Sequence, residues 1–314
     1  MPDDQRGVAN PALLADALAG LTAMPKRLPP KWFYDREGSE LFERITALPG
    51  YYPTRTEAAI LRDHADALAA TVPAGGALVE YGSGASVKTR TLLDAGGHFG
   101  AYVPIDISRD FLMTTADDLR ARYPALPVHP VVGDFTTDVA LPRAVEGMAK
   151  TGFFPGSTIG NLDLSDATAL LSRARAWPKA EAFILGADLV KDDAALLAAY
   201  DDPEGVTARF IGGVLRRLRD EADAEIDPDA FRYEAVWNAD EAKIDMRLVS
   251  TRAQTVRLPG AVVAFETDEP IHVSTSRKYT PDSLAALAAS GGWRVEDTLT
   301  DGRGWFAVAV LCPA

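Results

Sequence analysis

The chain has 314 residues, about half of them apolar, with a formal net charge of −13. That length suits one large domain or two moderate ones, and that composition argues against disorder beyond a few residues at the N-terminus. The acid excess, with no basic stripe anywhere, excludes a nucleic-acid partner, which needs clustered Lys and Arg to meet phosphates.

Pro11 to Thr22 is the first predicted helix. Pro25, Pro29 and Pro30 separate it from an aromatic run, Lys31-Trp32-Phe33-Tyr34-Asp35. Ser39 to Leu48 reads as a short amphipathic helix and Pro49-Gly50-Tyr51-Tyr52-Pro53 as a turn. Thr56 to Ala70 is predicted helical, with Leu61, Ala65 and Leu68 on one face. Beyond Pro73-Ala74-Gly75-Gly76, Ala77 to Tyr81 is a short apolar strand entering a glycine turn, and Val87 to Ala95 a helix. Tyr102 to Asp106 is a second strand, Asp110 to Tyr123 a helix, and Val128 to Val132 a third strand that ends in Gly133-Asp134-Phe135. Thr151 to Ser157 contains a fourth strand and Ala182 to Leu189 a fifth. Strands alternating with helices predict a parallel sheet with crossover connections.

From Asp192 the pattern changes. A helical stretch of roughly 194–219 is interrupted near Asp202 and Pro203. Strand-like runs follow at Phe231–Trp237, Lys243–Ser250 and Gln254–Leu258, and their alternation predicts an antiparallel sheet. Pro281 to Ser290 is a helix and Trp305 to Leu311 a last strand. The expected fold class is α/β: a Rossmann-like domain of 57–192 plus 277–314, with an inserted α+β substrate-binding lobe of 10–56 plus 193–276 and a flexible stretch at 1–9.

The single cysteine, Cys312, cannot form an internal disulfide or a thiolate metal site. His64, His98, His129 and His272 are too scattered for ligand spacing, so no metal is expected. The N-terminus is acidic where a signal peptide is basic, and no apolar run reaches the ~20 residues of a membrane span. The expectation is a cytoplasmic monomer acting on a small molecule, with no membrane or nucleic-acid partner.

Glu80-Tyr81-Gly82-Ser83-Gly84 lies between a strand and a helix, where glycine allows a sharp turn and close approach of backbone to ligand. Alone the run is weak, since a ligand-free turn looks the same. Asp106 closes the next strand, where a Rossmann-type fold places the carboxylate that accepts from ribose hydroxyls. Asp134 and Phe135, closing the third, suit an exocyclic amine and an adenine face. A dinucleotide site wants a third glycine where Val87 stands, and Glu80 suits a cationic methionine tail better than a pyrophosphate. The constellation points to S-adenosylmethionine (SAM), with NAD as the alternative cofactor. After the fourth strand, the run Gly156 to Leu162 carries Asn161, which can both donate and accept, on the loop expected to face the transferring methyl group.

These residues resemble the SAM-dependent L-histidine Nα-methyltransferases of ergothioneine biosynthesis nearly end to end. The likeness is carried by Leu28-Pro29-Pro30-Lys31-Trp32-Phe33-Tyr34-Asp35, Tyr51-Tyr52-Pro53-Thr54-Arg55-Thr56-Glu57, Gly82-Ser83-Gly84, Gly156 to Leu162, Asp188-Leu189-Val190-Lys191-Asp192 and Ala199-Tyr200-Asp201-Asp202. The resemblance implies trimethylation of the histidine α-amine to hercynine. It implies SAM contacts from Gly82, Lys88, Asp106, Asp134 and Phe135, amino-acid contacts from Tyr51, Asn161 and Tyr200, and a side-chain pocket bordered by Met246. Tyr51 and Asn161 would orient the amine. Ile271 to Tyr279 departs from the family: Ser276 matches its serine, but Ser274 stands where a glutamate holds the imidazole, and Phe210-Ile211-Gly212-Gly213 replaces an asparagine-bearing run. The alternatives are methylation of another, aromatic, amino acid or amine, and a non-catalytic SAM-binding protein.

Overall fold

The computed structural model describes residues 8–84 and 86–314. The expectation of flexibility at 1–9 falls, up to residue 7, outside them. In chain order the elements are α1 (Pro11–Leu21), α2 (Arg36–Ala47), α3 (Tyr52–Asp63) and α4 (Ala65–Ala69). Then come β1 (Ala77–Tyr81), α5 (Val87–Ala95), β2 (Ala101–Asp106), α6 (Arg109–Arg122), β3 (Val131–Val132), β4 (Lys150–Phe154), α7 (Leu164–Arg175) and β5 (Ala180–Asp188). Helices α8 (Asp193–Tyr200) and α9 (Val206–Glu221) lead to β6 (Phe231–Asn238), β7 (Lys243–Ser250), β8 (Gln254–Leu258), β9 (Ala261–Phe265) and β10 (Pro270–Arg277). The chain closes with α10 (Pro281–Ser290), β11 (Trp293–Thr300) and β12 (Phe306–Pro313).

These form two compact units, Met1–Tyr52 with Asp192–Ser276, and Pro53–Lys191 with Arg277–Ala314. The second holds a seven-stranded sheet of order β11-β12-β5-β4-β1-β2-β3. The pairs β1–β2, β1–β4 and β4–β5 are parallel, while β12 runs antiparallel to β5 and β11 antiparallel to β12. This is a Rossmann-like sheet whose strand order reverses between β1 and β4, the position at which open α/β sheets bind ligands. All five residues of β1 and of β4 are buried, because helices cover both faces and the strands have no solvent side. Val79 and Tyr81 pack toward α7 and α10, and Leu78 toward α4 and α5.

The first unit holds a three-stranded sheet, β10-β7-β6, and a separate two-stranded one, β8–β9. Helices α1, α2 and α9 pack together, and α8 and α9 pack on β6.

Several elements differ from the sequence reading. The helix predicted over Thr56–Ala70 begins earlier, with Pro53 tolerated in its first turn, and is broken at His64. The third strand shrinks to two residues. Pro130, which has no N–H to donate, interrupts the run, and Val128 makes only an isolated bridge to Tyr102. The antiparallel region is two sheets, not one, and β9, β10 and β11 had no counterpart in the sequence reading.

Candidate functional site

In the Rossmann-like unit the glycine turn leaves β1 with Gly82 and Gly84 at φ +63° and +47°, a backbone that side chains with a Cβ rarely adopt. Asp106 braces this turn from the end of β2. Its Oδ2 accepts from the Gly84 N–H at 3.0 Å and its Oδ1 from the Ser108 N–H at 2.9 Å, leaving each oxygen a lone pair. Phe135 lies across the turn, its ring 3.5 Å from where a Cβ on Gly82 would sit and 5.2 Å from the ring of Phe154. Asp134 is half-buried and accepts the Thr136 N–H and hydroxyl on Oδ1, at 2.9 and 2.6 Å, closing a local turn. Ser83 Oγ is buried without a hydrogen-bond partner among the described residues, and nothing lies within 4 Å of a Cβ built on Gly84. An orphaned hydroxyl beside an open glycine cradle, with the Asp106 lone pairs next to it, fits a cofactor rich in hydroxyl and carboxylate groups.

Glu80 corrects the sequence reading. The two-residue period of β1 sends its side chain under α5 instead of toward a methionine tail. There its Oε2 accepts from the Thr89 hydroxyl at 2.6 Å and from the Tyr102 hydroxyl. Desolvation, only partly opposed by these bonds and by Lys88, pushes its pKa up to about 8. Burial thus favours its neutral form, and its place beneath α5 is structural.

Lys88, in the first turn of α5, places its Nζ 2.5 Å from Glu57 Oε2. The loop after β4 starts at Gly156 and carries Asn161, which is exposed at the end of a single 3-10 turn, Thr158–Asn161. Ser157 Oγ accepts from the N–H of Asp188, at the end of β5, at 2.9 Å. The Asp188 carboxylate, fully buried, is shared by Lys191 at 2.5 Å and Lys278 at 2.7 Å. Burial lowers both ammonium groups, that of Lys191 to about 8, with Asp188 opposing.

In the other unit the structure joins three of the expected residues. The Tyr51 and Tyr200 rings are edge to face at 6.0 Å, and the Tyr200 hydroxyl is 2.7 Å from Ser276 Oγ. Tyr200 is buried, not the surface anchor that its acidic neighbours suggest. Asp202 instead turns inward to accept the N–H groups of Val206 and Thr207, at 2.8 and 2.7 Å, and so caps α9. Tyr233 donates to the Tyr200 carbonyl at 2.8 Å. Met246 and Ser274 are buried on the neighbouring strands β7 and β10.

The sequence reading assigned no role to Glu57, to the shared Asp188, or to a ring cluster of Phe33, Tyr34, Phe42 and Phe210, whose centroids lie 5.3–5.8 Å apart. Glu57 had a signal. It falls with Pro53, Thr56, Ile60 and Leu61 on the i, i+3, i+4 stripe that α3 buries, an unexpected place for an acid.

A family model described as histidine-specific methyltransferase, SAM-dependent, matches residues 13–313. The chain belongs to this family. It is therefore a SAM-dependent methyltransferase, and the NAD alternative falls. This methyltransferase is 43% identical to the histidine N-alpha-methyltransferase of Mycobacterium tuberculosis, over 95% of this chain and 94% of that one. It is 42% identical to the protein of the same name from Mycolicibacterium smegmatis, with the same coverage. It is also 33% identical to ergothioneine biosynthesis protein 1 of Neurospora crassa, over 62% of this chain and 23% of that protein. Among the described residues no helix is long and apolar enough to cross a membrane.

Proposed function

We propose that this enzyme methylates the α-amine of free L-histidine, three times, to give hercynine for ergothioneine biosynthesis. The observation that carries the reading is the likeness to two histidine N-alpha-methyltransferases over nearly the whole of both chains. When bound, SAM supplies an electrophilic methyl group on a sulfonium. The task left to the protein is to hold a neutral amine in line with it, and orientation of this kind is worth roughly 7–11 kcal/mol of a displacement barrier.

In this reading Gly82, Gly84, Lys88, Asp106, Asp134 and Phe135 form the cofactor site. Asp106 takes the ribose hydroxyls on its remaining lone pairs, and Phe135 covers an apolar face. Tyr51, Asn161 and Tyr200 hold the amino acid. The Tyr200–Ser276 hydrogen bond and the Tyr51 ring against Tyr200 fix these groups before substrate arrives, so little side-chain entropy is lost on binding. Tyrosine faces also favour a quaternary ammonium product. Met246, Ser274 and Ser276 border the side chain of the substrate.

Ser274 supports a second reading, an aromatic amino acid other than histidine. It is a buried neutral hydroxyl where the family resemblance implies a carboxylate for the imidazole. Incubation with SAM and each of the twenty amino acids, followed by mass spectrometry, separates the two. Histidine carrying three methyl groups is the expected main product. A different methylated amino acid as main product selects the second reading, and no methylated product from any of them ends both.

A further inference from the structure

Glu57 has no role in the site as assigned above, yet it is fully buried and bonded to two parts of it. Both its oxygens accept the Gly156 N–H, at 2.8 and 2.9 Å, and its Oε2 pairs with Lys88 Nζ at 2.5 Å. Gly156 has φ +81°, a conformation open to glycine that turns its N–H onto the carboxylate. The room for Glu57 comes from β5: a Cβ on Gly186 would lie 2.1 Å from Glu57 Oε1. Lys88 Nζ in turn lies 3.4 Å from where a Cβ on Gly156 would be. One acid on α3 thus joins the helix that opens from the glycine turn to the loop that carries Asn161, five residues beyond Gly156. A buried carboxylate that takes a backbone N–H with both oxygens and an ammonium as well is a stiff junction, because each partner it loses leaves a charge or a donor unsatisfied in a dry interior.

We propose that Glu57 is a positioning residue for methyl transfer: through Lys88 and the Gly156 N–H it holds the Asn161 loop in a set place relative to the glycine turn before either ligand binds. The consequence for the reaction rests on the function proposed above. The effect on the loop does not. A loop set in advance spares the reaction the entropy of ordering it, and small misplacements of an orienting group cost catalysis heavily.

The test uses the full-length protein and the variants Glu57→Gln, Lys88→Met and the double variant. Glu57→Gln keeps the shape and one acceptor but removes the charge. Hydrogen exchange of the ligand-free protein reads the loop directly. Peptides over 155–162 should exchange about tenfold faster in Glu57→Gln, while those over β12 stay as in wild type. In Glu57→Gln, which leaves every proposed SAM contact in place, methyl transfer should lose at least about tenfold in kcat with little change in KM for SAM. The double variant should be no worse than the more damaged single one, because each single change strands a buried partner. If Glu57→Gln does not fold, Lys88→Met must show the same local loosening. Unchanged exchange over 155–162 would overturn the proposal. So would a general loss of stability with wild-type kcat in the folded fraction, which marks Glu57 as an ordinary core ion pair. Failure of the wild type to methylate any amino acid would instead refute the function reading, and the exchange comparison would still decide whether Glu57 sets the loop.

Discussion

Glu80, beside the glycine turn, shows how little residue type says about role. Glu80 stands where a carboxylate facing the ligand was expected, but burial beneath α5 raises its pKa from 4.5 to about 8 and so favours its neutral form. The folded state therefore binds a proton that the unfolded chain releases, so this part of the stability is complete below the unfolded pKa and is lost as pH rises through the folded one. The expected result is that Glu80→Gln gains on wild type between about pH 5 and about pH 8, by on the order of a few kcal/mol, in denaturant titrations at each pH. Parallel stability curves for the two proteins would show that Glu80 is ionised in the fold. Ser274 raises the complementary question, of a charge that is missing. Introducing it with Ser274→Glu should tighten histidine by roughly 1–3 kcal/mol, the worth of a charged hydrogen bond, and weaken competing amino acids in a substrate panel. Kinetics unaltered for every substrate would remove Ser274 from the pocket.

At the scale of the element, α9 carries a conspicuous weakness. Gly212 and Gly213 sit in its interior, in place of the asparagine-bearing run expected from the family resemblance, while Val206, Phe210, Ile211, Val214, Leu215 and Leu218 form its buried face. Interior helical glycine costs backbone entropy relative to alanine. Among the described residues a Cβ on Gly212 meets nothing within 4 Å, so no clash offsets the gain. Gly212→Ala should raise stability by about 0.5–1 kcal/mol in chemical denaturation. A loss would mean that the helix surface there is covered by something the backbone geometry does not reveal. The same helix depends at its other end on Asp202, which is why this acid points inward between α8 and α9 while its neighbour Asp201 stays exposed.

At the scale of the whole molecule, cofactor binding and stability are linked, because a ligand that binds only the folded state stabilises it by mass action. At about 100 times its Kd, S-adenosylhomocysteine should add about 2.7 kcal/mol to the stability of wild type. Asp106→Ala removes the brace on Gly84 and the proposed ribose acceptor together. It should weaken that binding by roughly tenfold to a hundredfold, so that about half or more of the midpoint rise at equal ligand is lost, since charged hydrogen bonds are worth ~1.5–3 kcal/mol each. The ligand-free midpoint should stay close to wild type. A full midpoint rise in the variant would show that Asp106 holds the turn but not the cofactor.

The sequence alone determined the alternation of β1, β2, β4 and β5 with helices, because strands buried on both faces are mostly apolar short runs, though β4 opens with Lys150 and Thr151. It also placed the glycine turn, Asp106 and Phe135 after their strands, and pointed to the family, since these are local runs of residues. It did not reveal β10, whose Ser274, Thr275 and Ser276 are polar yet buried, or β11, most of whose polar residues stay exposed along one side of the sheet. Nor did it show the destination of Glu57, whose partner Gly156 is 99 residues away, or of Asp188, whose partner Lys278 is 90 residues away. Whether an acid is solvated, protonated or paired is settled by neighbours that only the folded chain brings together, so periodicity placed these groups on their elements and tertiary packing assigned their chemistry.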